Sequence, residues 1–142
     1  MIRIPAPLPA CLALCLSAGP LLAEDTKPAI AVQLNAAETV DQACRLTFVV
    51  RNSHTAAIDQ LVYETVLFTD TGQVASMTLF DFGTVPVGRP RVRQFDVGDL
   101  TCDGLGQVLI NGAQTCTVGG TAQGICDSSL TVSSRLSVEI LG

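Results

Sequence analysis

Residues 130–140 read LTVSSRLSVEI, and their alternation decides the fold class. Leu130, Val132, Leu136, Val138 and Ile140 share one parity with Ser134, while Thr131, Ser133, Arg135, Ser137 and Glu139 share the other. Successive side chains of a strand point to opposite faces, so this segment sends its aliphatic residues one way and its polar residues the other. A period of two in place of 3.6 predicts a half-buried β-strand, long enough to cross a whole sheet.

The same pattern recurs upstream. Cys44, Leu46, Phe48 and Val50 alternate with Arg45, Thr47, Val49 and Arg51, which puts Cys44 on the buried face of its strand. Residues 61–68 are apolar on both parities, Val62, Val66 and Phe68 on one and Leu61, Tyr63 and Leu67 on the other, as expected of a central strand. Asp70, Thr71 and Gly72 supply turn chemistry before a returning strand over 74–82. Pro86, Val87 and Gly88 break the chain again before 91–97, and Asn111 with Gly112 ends a strand over 105–110. Residues 30–34 open the series, and one helical turn is expected near 102–105. About seven short strands with turn signals roughly every 8 to 12 residues predict an all-β chain, an immunoglobulin-like antiparallel β-sandwich.

The beginning of the chain reads as an export signal. Arg3 is followed by an apolar stretch through Leu8, Ala10, Leu12, Ala13, Leu14 and Leu16, then Gly19 and Pro20, and Leu21-Leu22-Ala23 stands before acidic Glu24 and Asp25. This order predicts a signal peptide over 1–23 cleaved after Ala23, a short polar lead-in over 24–28 and a single domain over 29–142. A transmembrane anchor needs about 20 uninterrupted apolar residues; Pro5, Pro7, Pro9 and Pro20 interrupt this stretch. A lipoprotein signal at Leu8-Pro9-Ala10-Cys11 lacks an apolar region before it, and Arg3 alone makes no twin-arginine motif. The expected location is the periplasm or the exterior, with no stable membrane anchor after cleavage.

Export makes the cysteines a disulfide question. Of six, Cys11 and Cys15 leave with the leader; Cys44, Cys102, Cys116 and Cys126 remain. They allow three pairings. Cys44 with Cys102 is preferred because both stand just before apolar segments able to be neighbouring strands, and Cys116 with Cys126 because a short Gly-rich segment separates them. A zinc site is the rival, but no Cys-x-x-Cys occurs and no metal is expected.

Charge and composition exclude further classes. Net charge is −5 at pH 7, and losing Arg3 makes the exported chain more acidic still, which disfavours nucleic acid as a partner. Without tryptophan and with few aromatics, a base- or sugar-stacking platform is poorly supplied. His54, the only histidine, lies in the polar run Asn52-Ser53-His54-Thr55 and reads as a solvated turn residue; no serine sits in a Gly-x-Ser-x-Gly elbow. Among the acids, Asp81, Asp96, Asp99 and Asp103 have no spacing that commits them to catalysis or calcium. Glu64, in an otherwise apolar strand, is expected to face outward and pair with an arginine of a neighbouring strand.

The strands and turns around Arg45 to Asn52, then Leu67-Phe68-Thr69-Asp70-Thr71-Gly72-Gln73-Val74, Pro86-Val87-Gly88 and Phe95, resemble immunoglobulin-like modules of exported bacterial proteins, the FxLYD type among them. The chain is also similar to small uncharacterised secreted proteins of Gram-negative bacteria. The resemblance spans about half of the mature chain and implies a fold without a chemistry.

One surface feature stands out. Arg89, Arg91 and Arg93 sit two apart, so a strand would carry them as a row in an otherwise acidic protein. Such a row either docks an acidic partner surface or protects an exposed sheet edge, the latter being the favoured reading. Phe95 and Val97 share its parity and belong inside, so a bulge near Arg93 or Gln94 is expected. The functional expectation is a non-enzymatic, cofactor-free module binding another envelope protein. The alternative is a carrier holding a small apolar ligand between the sheets.

Overall fold

Apolar alternation resolves into two sheets packed face to face. The structure, a computed structural model, describes residues 26–142. The signal peptide expected over 1–23 and the start of the lead-in lie outside the described residues. The strands are β1 (Ile30–Val40), β2 (Ala43–Asn52), β3 (Ile58–Thr69), β4 (Val74–Val85), β5 (Arg91–Gly98), β6 (Leu105–Val118), β7 (Thr121–Ala122), β8 (Leu130–Ser134) and β9 (Glu139–Leu141), with a short helix α1 (Ile125–Ser128) before β8. The first sheet has the order β5-β2-β1-β8; the second runs β4-β3-β6-β7, with β9 also on β6. The helical turn expected near 102–105 is a 3₁₀ turn over Cys102–Gly104.

Residues 130–140 are not one strand. β8 runs parallel to β1 in the first sheet, and β9 runs parallel to β6 in the second. The break comes where Ser134 Oγ accepts the Leu136 amide at 3.1 Å and the Arg135 amide bonds back to the Leu34 carbonyl at 2.9 Å. Ser134 thus makes a local turn that competes with the ladder. The core lies between the sheets, so a chain that changes sheet keeps its apolar parity facing the same interior. Leu130 and Val132 approach the core from one layer, Ile140 from the other, with Leu136 and Val138 between them. This split, together with β7, turns the expected seven strands into nine, and makes two of the pairings parallel in an otherwise antiparallel fold.

The interior is built on rings. Phe48 of β2 packs against Phe80 and Phe82 of β4 across the sandwich at 5.7 and 5.8 Å, and Phe95 of β5 stacks on Phe80 at 4.2 Å. Tyr63 meets Phe82 edge-on and donates its hydroxyl proton to the Cys126 carbonyl at 2.6 Å. Four of the five phenylalanines and the lone tyrosine are therefore spent on one inter-sheet cluster.

Both expected disulfides are present. Cys44 of β2 bonds Cys102 with Cα atoms 4.8 Å apart, closing 58 residues, and Cys116 of β6 bonds Cys126 of α1 at 6.0 Å, closing 10. Each ties a strand of one sheet to the connector that enters the other. Loop entropy gives about 4 kcal/mol for the long closure and about 3 for the short one.

Asn52 explains the loop between β2 and β3. It is buried; its Nδ2 donates to the Ala56 and Val85 carbonyls at 2.8 and 3.2 Å, and its Oδ1 accepts the His54 amide at 2.9 Å. Its own carbonyl takes the Gly88 amide at 2.9 Å, which fastens the Pro86-Val87-Gly88 crossover from β4 to β5.

Candidate functional site

The two outer faces differ in chemistry. On the first sheet, one outward row runs Ser133, Gln33, Val49, Val92, and the next runs Thr131, Ala31, Arg51. Arg45 and Asp96 form a two-pronged ion pair at 2.7 and 2.9 Å, and Gln94 donates to Thr47 at 3.1 Å. Arg45's hydrogen bond and charge hold the Asp96 carboxyl below the usual carboxylate range, and Asp96 in turn raises Arg45. This is a mixed face of polar and small apolar side chains, with Arg45 and Asp96 paired and Arg51 in no ion pair among the described residues.

The second sheet presents an apolar row instead. Met77 of β4, Val66 of β3, Leu109 of β6 and Leu141 of β9 are successive cross-strand partners on the outward side. Met77 is 61% exposed and Leu141 40%, while Val66 between them is 4% exposed, covered by its neighbours. Leu79, 52% exposed, stands opposite Glu64 in the row on one side, and Val74 stands opposite Phe68 in the row on the other. Met77, Leu79, Val74 and Leu141 thus leave apolar side chains in water on one face of a small domain.

Charge divides the same way. The strands of the second sheet contain Asp59, Glu64, Asp81 and Glu139 and no lysine or arginine, whereas those of the first hold Arg45, Arg51, Arg91 and Arg93 against Glu38 and Asp96. Glu64 consequently has no arginine within its sheet, contrary to expectation; it accepts from Asn111 Nδ2. Asp81 accepts Gln60 Nε2 at 2.7 Å and the Gly83 amide at 2.8 Å, and Glu139 accepts Gln107 Nε2 at 2.8 Å.

Arg91 and Arg93 lie on β5, the edge strand of the first sheet, beside the β4 edge of the second. β2 and β5 pair without a register shift from Val50↔Arg91 to Ala43↔Gly98, so the expected bulge is absent. Arg91 and Arg93 therefore share the inward side with Phe95 and Val97, half-buried at the mouth of the sandwich. Arg93 Nε donates to the Phe82 carbonyl of β4 at 2.8 Å and Nη1 to the Val92 carbonyl at 3.0 Å. A guanidinium at an edge strand's carbonyl occupies a position that a foreign strand would need. Arg91 Nη1 reaches only the Pro90 carbonyl at 3.4 Å, and Arg89 is exposed on the turn.

His54 is half-buried rather than a solvated turn residue, because Nε2 lies 2.8 Å from Ser129 Oγ, 75 residues away. Ser129 gives its proton to the Ile125 carbonyl, so the imidazole is the donor to Ser129. A general base needs the reverse direction. Asp81 and Asp96 lie on different sheets and make no carboxylate pair. A shallow depression of about 150 Å³, lined by Glu64, Gly112, Ala113 and Gln114, sits where β6 bulges against β3, outside the inter-sheet space.

No family model matches the chain, and no curated protein does. The resemblance of its turns to FxLYD-type modules thus rests on those turns alone. A solved structure does match. The fold is similar to that of IrmA from Escherichia coli. The two superpose with a TM-score of 0.62 over 75% of this chain and 92% of that one, at 13% sequence identity. At that identity the likeness is one of fold, that of a small bacterial β-sandwich.

Proposed function

We propose that this chain is an exported, non-enzymatic β-sandwich that acts in the periplasm or outside the cell by binding another envelope protein through the outer face of its second sheet. The row Met77, Val66, Leu109, Leu141 carries this reading, because its ends, Met77 and Leu141, and the neighbouring Leu79 leave apolar area in water that a partner would remove. Export is supported by the leader pattern of 1–23 and by two disulfides, which persist in oxidising compartments. The aromatic filling between the sheets speaks against the carrier alternative, and the direction of the His54 hydrogen bond against hydrolysis. A photo-crosslinking amino acid placed at Met77 should give a discrete adduct with one envelope protein in intact cells, and the same group at Thr131 on the first sheet should not. Equal labelling from both positions, or none from either, sinks the reading.

A second reading places an acidic partner on Arg89, Arg91 and Arg93, favoured by the exposure of Arg89 at the cationic end of the molecule. Changing all three to serine tests it: an unchanged adduct pattern removes them from the interface.

A further inference from the structure

We infer that the occupant of the second sheet's outer face is a protein surface with an apolar centre and a rim of lysine or arginine side chains. This rests on the binding reading above and specifies the partner's chemistry. The apolar centre is the Met77, Val66, Leu109, Leu141 row, which spans three inter-strand gaps, or about 14 Å at the usual strand spacing.

The rim follows from how the acids are held. Glu64, Asp81 and Glu139 all lie on the outward side of this sheet, and each is fixed by a neutral side-chain amide: Asn111, Gln60 and Gln107 respectively. An amide donor orients a carboxylate and leaves its charge in place. On the first sheet the comparable acid, Asp96, meets Arg45 and is matched within the chain. Three oriented, uncompensated carboxylates around an apolar row are half of an interface whose other half is cationic.

The same charges disfavour a second copy as occupant. Twofold pairing of two such faces would set acids against acids with no cation on either side, which is repulsive. Head-to-tail stacking would bring the apolar row onto a first sheet lined by Ser133, Gln33 and Thr131, where Arg45 is already bound to Asp96 and Arg51 alone is left to meet three acids.

The test uses the mature, disulfide-bonded chain and three short synthetic peptides, alternating leucine with lysine, leucine with glutamate, and serine with lysine, kept below their own association limits. Backbone amide NMR should show the leucine–lysine peptide shifting Val66, Met77 and Leu109. Its affinity should fall about tenfold or more in Met77→Ser/Leu141→Ser, and similarly in Glu64→Gln/Asp81→Asn/Glu139→Gln, with the latter also losing most of its salt dependence. The leucine–glutamate peptide should leave the spectrum unchanged, and the serine–lysine peptide should bind weakly. Matching thermal midpoints for the variants and the parent chain keep a folding defect from imitating the result.

Equal binding of the leucine–glutamate peptide overturns the inference, as do shifts confined to the first sheet. So does concentration-dependent dimerisation in sedimentation that Met77→Ser abolishes, which would make the occupant a second copy. An adduct at Met77 in cells combined with charge-blind peptide binding leaves the binding reading standing and removes the cationic rim. Charge-selective peptide binding without any adduct does the opposite.

Discussion

The two sheets bury alike and expose unlike. Inward, both contribute fully buried side chains: Ile30, Leu34, Leu46 and Phe48 from the first, Leu61, Tyr63, Leu67 and Phe82 from the second. Outward, the first sheet mixes serine, threonine and glutamine with Val49, Val92, Arg51 and a matched ion pair, while the second offers methionine, leucine and valine among acids that no cation of its strands meets. Burial is what folding needs, and both inner faces meet that need. The outer face of the second sheet meets none that the fold imposes, since an antiparallel sheet is free to keep one face wet. The proposed docking role rests on that contrast.

The sharpest way to break that contrast is to compare neighbours on β4. Phe80→Ala should cost about 3 to 5 kcal/mol because it empties part of the ring cluster, whereas Leu79→Ala, one residue away and outward, should cost less than about 1 kcal/mol in urea unfolding. Similar costs would mean that the outer row supports the fold after all.

Tyr63 tests how firmly the second sheet is held from within. Tyr63→Phe orphans the buried Cys126 carbonyl and should cost about 1 to 3 kcal/mol. Burial pushes the Tyr63 phenol up, with Asp127 adding to the shift. A raised folded value gives stability that is fully present below the unfolded pKa of about 10 and is lost as pH rises beyond it. The parent chain should weaken from about pH 10 upward more steeply than Tyr63→Phe, read from urea midpoints.

A smaller effect of opposite sign is expected at Thr65, whose Oγ1 is buried on the inner side of β3 with no hydrogen-bond partner. Thr65→Val should raise stability by about 1 kcal/mol, and a loss would show that the hydroxyl has a partner in solution.

The smallest effect belongs to the exposed pair on the first sheet. Asp96 has a lowered folded pKa, so its contribution is present above the unfolded value of about 4 and fades as pH falls through the folded one. Asp96→Asn should flatten acid unfolding slightly below about pH 4, and a large change would contradict its solvent-exposed position.

Much of this was legible in the chain. Alternation at 44–50 and the turn Asp70-Thr71-Gly72 before a returning strand over 74–82 led to a two-layer β fold, and the placement of the four remaining cysteines led to both disulfide pairings. The candidate site was legible only in part. Residues 61–68 are apolar on both parities, which reads as a central strand, and β3 does lie between β4 and β6. The same pattern holds the missed signal: in a sandwich with wetted outer faces, Val62, Val66 and Phe68 must be covered by something or lie at an interface. The arginine row misled because parity was broken in expectation and unbroken in fact. Arginine stems are long enough to sit on an inward parity while their heads reach the edge, as Arg93 does at the Phe82 carbonyl.

By itself the sequence determined which residues alternate, where turns fall and which cysteines remain to pair, because these depend on neighbours along the chain. Only the tertiary structure decided that 130–140 divides between two layers, and that Met77, Val66, Leu109 and Leu141 line up on one side with Glu64, Asp81 and Glu139 around them. The first escapes any reading of alternation because both sheets face one core. The second escapes it because strand register joins residues far apart in the chain, and side-chain period along a strand says nothing about which partners lie across from it.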